Sequence, residues 1–209
     1  MVYPRVLSNS FILRCCIIGL LCINIFGQES LKASMSFKDM TEKTGITFKH
    51  TDGSSGGFYI METVSAGLAL FDYDNDGDID IYFLNGAALK GTKYKQPPKN
   101  ALYRNDGNFK FTDVTEQSGL GDTGFGLGVA VADYDNDGNP DVYLNNYGPN
   151  VLFRNNGNGI FTDVTEKAGV GDGSDFGAGT CFLDIDNDGD LDLYVSKYVV
   201  FSYEKKRPQ

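Results

Sequence analysis

The sequence predicts an all-β chain assembled from copies of one short-stranded unit. Three observations lead there. A long segment occurs twice with matching residues 50 positions apart, and a degenerate third copy precedes both. Each copy alternates short apolar runs with asparagine- and glycine-rich turns. Periodicity of helical type appears only in the first thirty residues. A length of 209 residues suits either one core or several small repeats. With 41% hydrophobic residues and six prolines the chain is no disordered polymer, and its 26 glycines and lack of tryptophan suit many tight turns.

The first thirty residues stand apart. Arg5 and Arg14 are the only charges before Glu29, and an apolar run extends from Cys15 to Phe26. That run has the length of a secretory signal and is short for a bilayer span, so residues 1–27 read as a signal peptide. An uncleaved N-terminal anchor is the alternative. Three of the four cysteines (Cys15, Cys16, Cys22) lie in this segment, so cleavage would leave Cys181 alone and allow no intramolecular disulfide. Residues 28–209 would then form the mature repeat domain. An exported chain without disulfides needs another staple.

The repeat explains the rest. NALYRNDGNFKFTDVTEQSGL begins at Asn100 and NVLFRNNGNGIFTDVTEKAGV at Asn150, matching Asn105 to Asn155, Phe111 to Phe161 and Gly119 to Gly169. One inserted residue then sets Asp133 opposite Asp184. The earlier copy is split: FKDMTEKTGI from Phe37 echoes FTDVTEQSGL, and GLALFDYDNDGDIDIYFLN from Gly67 echoes the later acidic loops and their flanks. Small apolar strands are expected at Leu68–Phe71, Val129–Ala132 and Thr180–Leu183, and aromatic, β-branched strands in IDIYFLN, PDVYLNN and LDLYVSK. LYRNDGNFKFTDV and LFRNNGNGIFTDV read as hairpins with positive-φ turns. Four short strands in about 50 residues is the size of a propeller blade. The expected fold is a partial β-propeller of three to four four-stranded blades.

Fourteen of the 28 acidic residues fall in three loops that fit D-x-D-x-D-G-x-x-D. The candidate ligands are Asp72, Asp74, Asp76, Asp78 and Asp80; Asp133, Asp135, Asp137, Asn139 and Asp141; and Asp184, Asp186, Asp188, Asp190 and Asp192. A hard cation takes six to eight oxygens, and alternate residues of a tight loop can direct them inward. Gly77, Gly138 and Gly189 permit the sharp turn, and the seventh position serves through its carbonyl, so Asn139 costs little there. The pattern predicts about three calcium ions. These are not EF-hands: the twelfth position is Phe83, Leu144 or Val195, inside a predicted strand.

With Phe125-Gly126 and Phe176-Gly177 eight residues before two of the loops, the chain resembles FG-GAP and VCBS-type repeat proteins, the integrin α-chain-like propellers among them. The order FxDVTExxG, GxAxxDYDNDGxxDxY and LYRNxGxxxF is similar to the cartilage-acidic-protein-like subfamily. The resemblance covers residues 36 to about 203. It implies calcium in the hairpin between the first two strands of each blade, and a ring of about seven blades. Val64-Ser65 departs from Phe-Gly in the first copy. Three loops are fewer than a ring needs, which makes the chain an expected N-terminal fragment, completed by further blades or by self-association.

Other motifs carry less. Gly53-Ser54-Ser55-Gly56-Gly57 fits G-x-S-x-G, but the only histidine, His50, lies upstream, so a Gly/Ser loop is expected. Gly119, Gly121 and Gly124 fit G-x-G-x-x-G with no helix to follow. Cys181 aligns with Ala69 and Ala130, which predicts a buried strand position. The formal charge of −10, or −12 once Arg5 and Arg14 are removed, disfavours nucleic acid and anionic membrane as partners. The expectation is a secreted, extracellular or cell-surface module (a periplasm also fits) that binds a protein or glycan without catalysis. The alternatives are the propeller scaffold of a polysaccharide-active enzyme and a truncated gene product.

Overall fold

The computed structural model describes residues 36–64, 67–171 and 175–203. The expected signal segment and Ser65 lie outside them. Two compact units divide the chain at Asp39. Residues 36–39 of the first form no regular element, and every element below belongs to the second. Among the described residues, no helix is long and apolar enough to cross a membrane.

The fold is all-β and antiparallel, as the repeat predicts. Strands β1 (Leu68–Phe71), β2 (Asp80–Phe83), β3 (Ala101–Asn105) and β4 (Phe111–Asp113) form one four-stranded meander. A second meander follows: β5 (Phe125–Ala132), β6 (Asp141–Tyr147), β7 (Val151–Asn155) and β8 (Phe161–Asp163). The last hairpin, β9 (Phe176–Leu183) and β10 (Asp192–Val199), joins the second sheet through the single pair Tyr147 and Phe176. The described residues therefore form two four-stranded units and a hairpin, not the three or four full blades expected, because residues 200–203 add no strand.

Each unit covers the next. Gly126 N–H donates to Asn85 O at 2.9 Å, linking the start of β5 to the end of β2. The core runs between the two meanders, with Phe71, Tyr82, Leu84 and Leu102 of the first against Val142, Leu144, Phe153 and Phe161 of the second. Tyr82 and Tyr143 hold the same place in β2 and β6 and are buried. Tyr82 OH donates to Leu120 O at 2.7 Å, and Tyr143 OH donates to Val170 O at 3.1 Å. Phe182 of β9 sets its ring edge-on to Tyr143 and stacks on Tyr134.

Two expectations are corrected. Cys181 is exposed, not buried. Its cross-strand partner Tyr194 is 60% exposed where Tyr143 is buried, because nothing described covers the β9–β10 face as Phe182 covers β6. The described residues also include three single-turn α-helices: α1 (Thr41–Thr44), α2 (Thr115–Ser118) and α3 (Thr165–Ala168). In α2 and α3 the preceding aspartate starts the turn, Asp113 Oδ1 accepting Thr115 N–H and Asp163 Oδ1 accepting Thr165 N–H. Gly45, Gly119 and Gly169 end the three turns with φ between 70° and 80°, the left-handed cap that glycine adopts at least cost. Four residues are too few to leave a periodic trace.

Candidate metal centres

All three acidic loops connect the two strands of a hairpin: 72–80 between β1 and β2, 133–141 between β5 and β6, 184–192 between β9 and β10. Each is built by the same hydrogen bonds. The first aspartate accepts two backbone amides: Asp72 takes Asp76 and Gly77 at 3.1 and 2.9 Å, Asp133 takes Asp137 and Gly138 at 2.9 and 2.7 Å, and Asp184 takes Asp188 and Gly189, both at 3.1 Å. The fifth accepts the amide of the seventh, as Asp76 does from Asp78, Asp137 from Asn139 and Asp188 from Asp190. The ninth reaches back to the second, at 3.0 Å from Asp80 to Tyr73 N and 3.1 Å from both Asp141 to Tyr134 N and Asp192 to Ile185 N. The path needs two left-handed residues, the expected glycine at position six and an asparagine at position four. Asn75, Asn136 and Asn187 have φ of 60°, 57° and 62°, a conformation asparagine tolerates better than most side chains.

This path gathers the first, third and ninth carboxylates. Asp72, Asp74 and Asp80 each offer an oxygen within 4.8 Å of the others, as do Asp133, Asp135 and Asp141, and Asp184, Asp186 and Asp192. The fifth and seventh residues (Asp76 and Asp78, Asp137 and Asn139, Asp188 and Asp190) are not in these clusters. Among the described residues Asp74 Oδ1 is buried with no hydrogen-bond partner. Carboxylate oxygens of like charge at such spacing repel one another unless a cation lies between them, and an oxygen that accepts no proton leaves a lone pair for one. The donor set fits a hard cation.

Burial falls along the chain. The third cluster is exposed throughout, whereas Asp80 and Asp141 are fully buried. Their second oxygens accept from the third strand of the same unit, Asn105 N–H to Asp80 Oδ1 and Asn155 N–H to Asp141 Oδ1, both at 2.7 Å. The amides of these asparagine side chains hold the loop carbonyls of Ile79 and Pro140. Burial pushes both buried carboxyls up to about 6, against the pull of those backbone amides. Burial also pushes the Tyr73 hydroxyl up to about 12, with the Asp74 charge adding to it.

Neighbouring loops are tied together. Asn75 Nδ2 donates to Asn139 Oδ1 at 2.9 Å, and Asn136 Nδ2 donates to Asp190 Oδ1 at 3.3 Å. Asn139 also donates from its side chain to Asp137 Oδ1 at 2.8 Å, so this side chain has work beyond the carbonyl role expected of it. That bond, with Arg154 adding to it, holds the Asp137 carboxyl below the usual range. Sequence reasoning missed Asn75 and Asn136, although an asparagine at the fourth position of every loop was visible.

A repeated antiparallel hairpin that cradles an aspartate loop defines a β-repeat module of the kind found in propellers. The family model for the FG-GAP-like repeat matches residues 72–144 and 133–195, together more than half of the sequence. The chain belongs to the FG-GAP-like repeat family. No curated protein matches it.

Proposed function

We propose that the chain is a calcium-stabilised, propeller-type repeat module, exported from the cell, that binds a protein or glycan without catalysis. One observation carries the reading: three loops at the same hairpin position gather the same three carboxylates on a backbone already shaped by the same bonds. Oxygen-only donor sets rich in carboxylate suit calcium, whereas magnesium keeps most of its waters. Calcium would neutralise each cluster and fix the strand ends that leave it. The protein's own part is to hold the three oxygens together, through the amides of Gly77, Gly138 and Gly189 and the backbone amides of Asn105 and Asn155.

Extracellular modules bind calcium with Kd on the order of 10⁻⁴–10⁻³ M, about 4–5.5 kcal/mol per site. Millimolar calcium outside a cell fills such sites at least in part, and cytosolic calcium does not. The apolar leader supports export. The order of the FxDVTE and LYRN motifs supports kinship with cartilage-acidic-protein-like propellers, and further blades or a second copy as partner of the β9–β10 face. Thermal melting in calcium and in chelator tests the reading. At 100 times Kd each site contributes about 2.7 kcal/mol, so the melting temperature rises by several degrees. A melting curve that chelator leaves unchanged refutes it.

A further inference from the structure

The first two copies differ in the partner of the arginine next to last in their third strand. Arg104 Nε donates to Asp106 Oδ1 at 2.9 Å, and its Nη2 lies 2.8 Å from the same oxygen. Asp106 is held in turn by the Thr112 hydroxyl. In the next copy Asn156 stands where Asp106 stood and pairs with Thr162. A neutral amide offers a guanidinium no ion pair, and Arg154 turns to the acidic loop. Its Nε donates to Asp135 Oδ2 at 2.6 Å and its Nη2 to Asp137 Oδ2 at 2.8 Å.

We infer that Arg154 is a built-in counter-ion of the middle loop that competes with its cation, so that the middle loop binds calcium more weakly than the first. The inference rests on the reading of these loops as cation sites. Asp135 is one of the three gathered carboxylates, so a cation and the guanidinium compete for one group. The middle loop also has one acid fewer, with Asn139 at position seven where the first has Asp78. The choice between the two arginine positions is set by one residue outside the loop, Asp106 or Asn156. Arg154 is partly exposed, and water screens its pair, so the effect is modest.

Calcium titration of the isotope-labelled protein tests this, with the amides of Gly77 and Gly138 reporting the first and middle loops separately by nuclear magnetic resonance. Gly77 should respond at lower calcium than Gly138. Arg154→Gln, and Asn156→Asp, which restores the partner that Arg104 has, should each lower the Gly138 midpoint about three- to tenfold and leave Gly77 unmoved. Asp106→Asn should free Arg104 and raise the Gly77 midpoint. A Gly138 midpoint that both middle-loop variants leave in place overturns the competition while the cation reading stands. If no glycine amide responds to calcium in any of these proteins, the cation reading fails and takes the competition with it.

Discussion

Asp80 and Asp141 begin β2 and β6 with carboxyls fully buried and lifted to about 6. An unfolded aspartate titrates near 3.9. Because the folded value is the higher one, the cation-free fold favours the protonated acid. Their contribution to stability is present below about pH 4 and lost as pH rises through 6. Calcium needs the carboxylate, so its binding reverses that preference. Calcium added at pH 6 should therefore expel about half a proton from each of the two, and almost none at pH 8. Calorimetry in two buffers of different ionisation enthalpy measures this, and equal heats in both at pH 6 would rule it out. Which residues are acidic was plain from the D-x-D-x-D-G spacing. Which three meet was not, since that depends on the left-handed turns at Asn75, Asn136 and Asn187, and nothing in the spacing states that path.

The third strand of each unit ends in an asparagine that does more in one copy than in the other. Asn155 is buried, and its amide spans from Pro140 O to Tyr73 O of the preceding unit, while its oxygen accepts Gly157 N–H. Among the described residues the Asn105 side chain makes only the matching bonds to Ile79 and Gly107. Asn155→Ala strands the buried Tyr73 carbonyl as well and should cost about 2–4 kcal/mol, against about 1 kcal/mol for Asn105→Ala. Urea unfolding in calcium compares the two, and equal losses would show that the bond between units adds nothing. β1 and β2 were legible because alternate residues turn toward and away from the core, and β6, buried almost throughout, by its β-branched and aromatic residues. The clamp was not, because it joins residues 82 positions apart, and α1 to α3 were not, because one turn cannot show a period.

Across the whole molecule the copies are equivalent in sequence but not in surroundings. Tyr194, Tyr198 and Val200 are 60%, 65% and 72% exposed, although Tyr82 and Tyr143, the counterparts of Tyr194, are buried. Large apolar side chains left this exposed favour association. Residues 28–209 in calcium should scatter light as a dimer or larger, and Tyr194→Asp should lower the scattering mass; a monodisperse wild-type monomer would contradict this. The number of copies could be counted in the sequence, but their burial could not, since Cys181 and Ala130 share a pattern and differ only in what lies above them. The Phe-Gly step has a wider consequence. A Cβ on Gly126 would lie 2.9 Å from Leu84 Cβ, and one on Gly177 2.1 Å from Asn145 Oδ1, so each glycine lets one unit's backbone sit against the previous unit. The second and third copies thus bring a plug at their front, and the first and second a socket at the end of their second strand. Gene duplication of a single copy delivers both halves of the joint at once, and a lineage can lengthen such a protein by one unit without inventing a new interface.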